Sequence, residues 1–150
     1  GGCFGGGTGV ISACDIVIAA EDALFSITEV RWGLTAAIII PQLVDAISAR
    51  QVRRYALTGE RFGAAEARRI GLVHEVYAEE TFLDDVYAFC RHLMSIQAEA
   101  LGLAKLTVDI YADVQDRTVQ RHVDRLAVWS TFAEFEKSMQ RFGHKPDAKG

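Results

Sequence analysis

Glycines crowd the start of the chain, and their spacing is the first feature that could serve chemistry. The run Gly5 to Gly9 holds four glycines and one threonine. Backbone without a Cβ lets a ligand approach closely, so a main-chain N–H can point at a developing negative charge. A phosphate-binding loop would need a lysine that this run lacks. A dinucleotide fingerprint would need a preceding strand, and none is evident from the sequence.

A flexible linker is the alternative interpretation of these glycines. Linkers are rich in glycine and serine, whereas here Cys3 and Phe4 precede the run and the mostly apolar residues 10–14 follow it. Residues 10–14 suit a buried helix. The sequence therefore favours a structured loop over a linker.

Glu29 is the second candidate for chemistry. Along a strand, a period of two would place its carboxylate on the same side as Phe25 and Ile27, facing an apolar interior. A desolvated carboxyl group can exchange protons near neutral pH. The alternative is that Thr28 caps a short helix and Glu29 complements the helix dipole in its first turn. Taken alone, the pattern favours this alternative.

The elements that must position these residues change character halfway along the chain. Residues 1–78 contain the short β-branched runs, and 79–142 contain apolar residues at helical spacing. We predict strands at 16–20, 23–27 and 72–76. Gly71 is predicted to end a helix in the left-handed conformation. The predicted helices cover 36–56, 64–70, 81–95, 97–114 and 118–142.

Composition excludes several classes of function. The 150 residues carry a net charge of −4, which argues against binding to nucleic acid. Three cysteines without paired spacing predict neither a disulfide framework nor a metal site, and they suit a reducing cytoplasm. No apolar run is long enough to span a membrane. His74 and His122 have no partner at ligand spacing, so a structural role is favoured for both.

The sequence resembles the second half of the enoyl-CoA hydratase/isomerase (crotonase) superfamily. The matching residues keep their order over about seventy positions. They are Gly5-Gly6-Gly7, Cys14-Asp15, Ala20, Ala23, Phe25, Glu29, Gly33-Leu34, Leu57-Thr58-Gly59-Glu60, Ala64, Glu66-Ala67 and Gly71-Leu72-Val73.

The resemblance implies an α/β fold, the ββα spiral core of the crotonases. Residues 1–78 would form the second half of that core, and 79–150 would form a C-terminal helical segment used for oligomerisation, as trimers or dimers of trimers. Complete members are longer, so we expect the N-terminal part of the fold, with one of two oxyanion donors, to lie outside this chain.

The resemblance also assigns the site residues. Gly6 would present an oxyanion N–H to a thioester carbonyl, and Glu29 would be the acid that moves the proton. Gly5, Gly7 and Gly9 would bind the substrate. Hydratases of the family carry a second carboxylate two residues after the glycine triplet, where this chain has Gly9. No metal or separate cofactor is implied, because coenzyme A enters as part of the acyl-CoA substrate.

Several activities stay open within this resemblance. Hydration of a 2-enoyl-CoA through an oxyanion-stabilised enolate is favoured, and the residues around Glu29 look most like methylglutaconyl-CoA-type hydratases. A Δ3,Δ2-enoyl-CoA isomerase, a decarboxylase or hydrolase, and a non-enzymatic scaffold are the alternatives. Dienoyl isomerases and aryl dehalogenases would need an aspartate where Ala37 stands.

Overall fold

The computed structural model describes residues 1–110 and 112, and this part of the chain confirms the predicted α/β class. The strands are β1 (Gly2–Phe4), β2 (Ile18–Ala20), β3 (Leu24–Ser26), β4 (Phe62–Gly63) and β5 (Glu75–Tyr77). The helices are α1 (Gly6–Ser12), α2 (Ile40–Thr58), α3 (Ala64–Ile70), α4 (Phe82–Met94) and α5 (98–110), and a 3-10 turn spans Glu29–Trp32.

The strands form two small sheets. In the first, β1 pairs with β3 in parallel and β3 pairs with β4 in antiparallel, while β2 and β5 form a parallel pair in the second. The expectation that no strand precedes the glycine run is wrong, because β1 ends one residue before Gly5. Three residues, one of them glycine, carry too little pattern to reveal a strand that pairs with a distant partner.

The strand predicted at 72–76 is displaced, and the backbone of Leu72 and Val73 shows why. Both residues donate their N–H groups to the carbonyl of Ala67, at 2.9 and 3.2 Å, so they complete the end of α3. Pairing in β5 begins only at Glu75. His74, directly before β5, is bound to Val17, directly before β2. Its Nδ1 accepts the N–H of Val17 at 3.0 Å, and its own N–H donates to the Val17 carbonyl at 2.8 Å. This is the structural role expected of it.

The buried apolar core lies between Val17 and Val73, inside the predicted first unit. Helix α4 has no buried residue, and α5 contacts the loop after α1 through an exposed ion pair, Lys105 Nζ to Asp15 Oδ1 at 2.6 Å. The division at residue 78 stays a prediction. The predicted helix 118–142 and His122 lie outside the described residues. Of the helices that are described, none is long and apolar enough to cross a membrane.

Helix α2 differs from its prediction in two ways. It begins at Ile40 rather than at residue 36, with Pro41 in the first turn, where a missing N–H is tolerated. Its helical dihedrals are interrupted at Ser48, which has φ 67° and ψ 153°. Residues with a Cβ rarely adopt these backbone dihedrals, whereas glycine adopts them freely. The predicted helix is therefore correct in place but kinked.

Helix α1 packs closely on the start of α2 through a glycine. A Cβ built on Gly9 would lie 2.2 Å from Ile39 Cγ2 and 2.5 Å from Ile39 Cβ, so no side chain fits there. The expected buried helix over 10–14 is wrong in extent, because α1 covers Gly6–Ser12 and Val10 is 69% exposed in this part of the chain.

Glu66 forms an ion pair within α3 and accepts a hydrogen bond from α2 beside the aromatic core. Arg69 Nε donates to Glu66 Oε2 at 2.6 Å, and the hydroxyl of Tyr55 donates to Glu66 Oε1 at 2.5 Å. The Tyr55 ring packs against Phe62, with ring centres 4.2 Å apart. Hydrogen bonds from Arg69 and then from Tyr55 lower the pKa of Glu66 from 4.5 to about 2. The carboxylate form of Glu66 thus stabilises the fold.

Replacing Ser48 with glycine should relieve the strain at the kink. We expect Ser48→Gly to raise the free energy of unfolding by about 1 kcal/mol, because its dihedrals are costly for a residue with a Cβ. Urea titration measures the change. Ser48→Ala keeps the Cβ and serves as the matched control, and an equal gain in that variant would contradict a backbone cause.

Adding one methyl group at Gly9 should push α1 away from α2. We expect Gly9→Ala to lower the free energy of unfolding by about 1–3 kcal/mol, as overpacking does in well-packed sites. Removal of both clashing atoms in Gly9→Ala/Ile39→Gly should recover part of this loss, compared with Ile39→Gly alone. Gly102→Ala, whose Cβ would meet open space in the described structure, is the control. No recovery in the double variant would argue against the contact with Ile39.

The depressed pKa of Glu66 predicts acid sensitivity. Because its folded pKa is below its ordinary value, its contribution is complete above about pH 4.5 and is lost as the pH falls toward 2. Glu66→Gln should therefore lower stability at neutral pH by about 1 kcal/mol, a modest value since the pair is partly exposed. The gap to wild type should close near pH 2. Unfolding curves across this range, with the exposed Glu79→Gln as control, measure the effect.

Candidate active site

A left-handed turn at Gly5 joins β1 to α1 and begins the candidate site. Gly5 has φ 53° and ψ −125°, a conformation that favours glycine. Its N–H donates to the Ser26 carbonyl at 2.9 Å, which extends the pairing of β1 with β3. Its own carbonyl accepts the N–H of Thr8 at 2.9 Å and the Thr8 hydroxyl at 2.6 Å. Since Thr8 is fully buried, the turn is held rigidly.

The next two N–H groups are free to bind a ligand. Among the described residues, no acceptor takes a hydrogen bond from the N–H of Gly6 or Gly7. Both lie in the first turn of α1, where N–H groups have no partner inside the helix. A Cβ on Gly6 would meet open space, whereas one on Gly7 would lie 3.3 Å from Cys3 Sγ. Two aligned donors of this kind can stabilise negative charge on a carbonyl oxygen.

Cys3 lines the strand side of the glycine turn. Burial raises the pKa of its thiol, so the side chain is neutral near neutral pH. A neutral thiol behaves as a small apolar side chain rather than a nucleophile. Cys3 therefore supports the turn through packing.

Glu29 lies against the glycine turn, although the strand predicted to carry it ends earlier. Strand β3 stops at Ser26, and Glu29 begins the 3-10 turn that follows. The period-two interpretation is therefore wrong, and the first-turn alternative is correct in position. The proposed cap is not made, because the Thr28 side chain forms no capping hydrogen bond. Tertiary pairing of β3 with β1 and β4 sets the end of the strand.

One oxygen of the Glu29 carboxylate is available to a ligand. Its Oε2 atom is buried and has no hydrogen-bond partner within the described part of the chain. A Cβ built on Gly5 would lie 3.3 Å from Glu29 Oε1 and 3.1 Å from Thr28 Oγ1, so a side chain at this position would crowd the carboxylate. A buried carboxylate oxygen without a partner is costly and calls for a functional explanation. Proton transfer to a bound ligand is the chemistry that suits it.

The structure thus brings four of the five predicted residues together. Glu29 lies beside Gly5, and Gly6 and Gly7 follow Gly5 in the first turn of α1. Gly9 faces Ile39, which gives this glycine a packing role, and its part in substrate binding stays a prediction. The sequence did not single out Ser26 or Thr8, whose polar groups hold Gly5. Within residues 1–110, no three acidic, histidine or cysteine side chains are grouped to hold a metal ion.

Comparison with known proteins identifies the family that this chain matches. The model of the enoyl-CoA hydratase/isomerase family matches residues 1–149. Hydroxycinnamoyl-CoA hydratase-lyase of Pseudomonas fluorescens is 32% identical over 106 residues, which are 70% of this chain and 38% of that protein. Mitochondrial Delta(3,5)-Delta(2,4)-dienoyl-CoA isomerase of Rattus norvegicus is 32% identical over 99% of this chain and 47% of its own length. The chain spans less than half the length of these two curated relatives.

Solved structures agree with the sequence comparison. An enoyl-CoA hydratase of Mycobacterium paratuberculosis superposes with a TM-score of 0.78 at 26% identity, over 91% of this chain and 61% of that one. An enoyl-CoA hydratase of Shewanella pealeana superposes with a TM-score of 0.69 at 30% identity, over 95% of this chain and 54% of that one. The expected resemblance and the partial crotonase fold are confirmed, and the chain belongs to the enoyl-CoA hydratase/isomerase family.

Proposed function

We propose that the protein hydrates a 2-enoyl-CoA thioester, with Glu29 as its acid/base. One observation carries the proposal. A buried Glu29 Oε2 atom without a hydrogen-bond partner lies beside the glycine turn, whose next two N–H groups are also unpaired in the described structure. Membership of a family of hydratases and isomerases supports acyl-CoA chemistry at this place.

In this proposal, Gly6 stabilises the charge that develops during the reaction. Its N–H donates to the thioester carbonyl oxygen and strengthens that bond as the oxygen gains enolate character. Removal of one such donor costs about 3 kcal/mol of transition-state stabilisation. Gly5 and Gly7 have no side chains to obstruct the thioester. We expect a second donor from outside this chain, as the resemblance implies.

Glu29 moves the proton in this proposal. Its carboxylate takes a proton from water while the water oxygen bonds to C3 of the enoyl group, and electrons pass to the thioester oxygen. The protonated Glu29 then gives its proton to C2 of the enolate, which restores the carbonyl. Water and enoyl thioester are thus converted into a 3-hydroxyacyl thioester, and Glu29 returns to its starting state. A correctly placed acid/base contributes about 10²–10⁴-fold to such a step.

A Δ3,Δ2-enoyl-CoA isomerase is the second candidate, and the contact between Gly9 and Ile39 favours it. The position that carries the second hydratase carboxylate has no space for a side chain here. An isomerase needs one base to move a proton between C2 and C4. The relative from Rattus norvegicus is a dienoyl-CoA isomerase by name, but Ala37 stands where the resemblance requires an aspartate for dienoyl substrates.

Glu29→Gln should separate catalysis from binding. With the whole protein, we expect kcat for a 2-enoyl-CoA to fall by about 10²–10⁴-fold, with KM changed much less, because glutamine keeps the shape but cannot carry a proton. Hydration is measured by loss of the enoyl-thioester absorbance. The exposed Glu21→Gln is the matched control and should keep wild-type rates.

Three outcomes decide between the candidates. Crotonyl-CoA or a branched 2-enoyl-CoA hydrated in a Glu29-dependent reaction supports the hydratase. Conversion of a 3-enoyl-CoA into its 2-isomer, without water addition, establishes the isomerase. Binding of acyl-CoA with no turnover of either substrate contradicts both candidates and favours the decarboxylase, hydrolase or scaffold alternatives. Turnover that survives Glu29→Gln contradicts the acid/base role of Glu29.

A further inference from the structure

One backbone carbonyl outside the glycine turn receives two side chains from the segment that carries Glu29. The Gly59 carbonyl, at the C-terminal end of α2, accepts Arg31 Nε at 2.7 Å and the Ser26 hydroxyl at 3.0 Å. Ser26 lies three residues before Glu29 and Arg31 lies two residues after it. The turn that presents the carboxylate is therefore fastened on both sides to one oxygen atom.

Gly59 has little freedom to move this oxygen. It has φ 58°, and its N–H donates to the Tyr55 carbonyl at 2.9 Å, which closes the end of α2. A Cβ at this position would lie 3.0 Å from Arg31 Nε and 3.1 Å from Val30 Cγ1. The arginine therefore packs directly on the glycine. Its positive charge also meets the carbonyl end of a helix, where cations are stabilised.

Ser26 connects this anchor with the glycine turn. Its side chain is fully buried, and its hydroxyl donates to Gly59 while its carbonyl accepts the N–H of Gly5 at 2.9 Å. The carbonyl bond sets the position of the free Gly6 N–H, one residue further along. The hydroxyl bond sets the start of the turn that carries Glu29. The glycine turn and the turn that carries Glu29 are thus both held by hydrogen bonds of the buried Ser26.

We propose that Arg31 and Ser26 are positioning residues that hold the Glu29 carboxylate at its working distance from the Gly6 N–H through the Gly59 carbonyl. This inference rests on the proposed acid/base role of Glu29. Arg31 acts from the far side of the turn, by its bond to Gly59. Its removal should let the turn shift, and shifts of about 1 Å in reacting groups can cost about 10²-fold in rate.

The test compares arginine variants that differ in their ability to donate a hydrogen bond. In the whole protein, Arg31→Met should lower kcat by about tenfold or more with KM within about threefold. It should also displace the acid limb of the kcat–pH profile, because the surroundings of Glu29 change. Arg31→Lys keeps a donor and a charge and should recover part of kcat. Arg53→Met removes an exposed arginine from α2 and should leave all three quantities unchanged.

Ser26→Ala is the second variant and keeps the inference testable where Arg31→Met fails to fold. It should lower kcat and displace the same acid limb. A variant that loses only thermal stability, with a wild-type kcat and pH profile, overturns the positioning role. Glu29→Gln separates this failure from that of the proposed function: if it inactivates the enzyme while both positioning variants behave as wild type, only the positioning inference is wrong.

Discussion

The parallel pairing of β1 with β3 is the constraint on which the candidate site depends. Phe4 lies opposite Ser26 in this register, and the next hydrogen bond, from Gly5 to the Ser26 carbonyl, continues the ladder into the glycine turn. The pairing places the first turn of α1 beside the residues that follow β3. A slip of one residue would turn each side chain to the opposite face of the sheet. This register therefore places the unpaired N–H groups of Gly6 and Gly7 in the same part of the structure as Glu29.

Glycine serves two different physical purposes in α1 and the turn before it. At Gly5 it permits a positive φ and leaves space for the Glu29 carboxylate, which a Cβ would crowd. At Gly9 it permits close packing of two helices, because Ile39 fills the volume of any side chain. One glycine-rich run therefore shapes the candidate site at one end and a helix contact at the other. The first purpose concerns chemistry, and the second concerns stability.

Local signals in the sequence predicted some elements well, and long-range pairing explains where prediction failed. Helix α3 matches its predicted bounds because Gly71, at φ 92°, gives a clear stop signal. Strand β1 escaped prediction, and the end of β3 was placed too late, since both depend on partners distant in the chain. The strain at Ser48 and the contact of Gly9 with Ile39 carry no local signal at all. The local pattern made Glu29 a candidate and the family resemblance implied its role, whereas its oxygen without a hydrogen-bond partner is seen only in the structure.

The two catalytic elements of the proposed site are held by separate anchors, and this separation has a chemical consequence. Thr8 and Gly5 fix the N–H donors to the frame of α1, whereas the Gly59 carbonyl fixes the Glu29 turn to the end of α2. Only Ser26 belongs to both anchors. With Ile39 crowding any side chain at Gly9, Glu29 is the one carboxylate that the proposed mechanism assigns to proton transfer in the described part of the site. In that proposal a single carboxylate serves in turn as base and as acid, so its distances from the attacking water and from C2 of the substrate govern the two steps. Rigid attachment of its turn then matters more than it would in a site where two carboxylates divide the work.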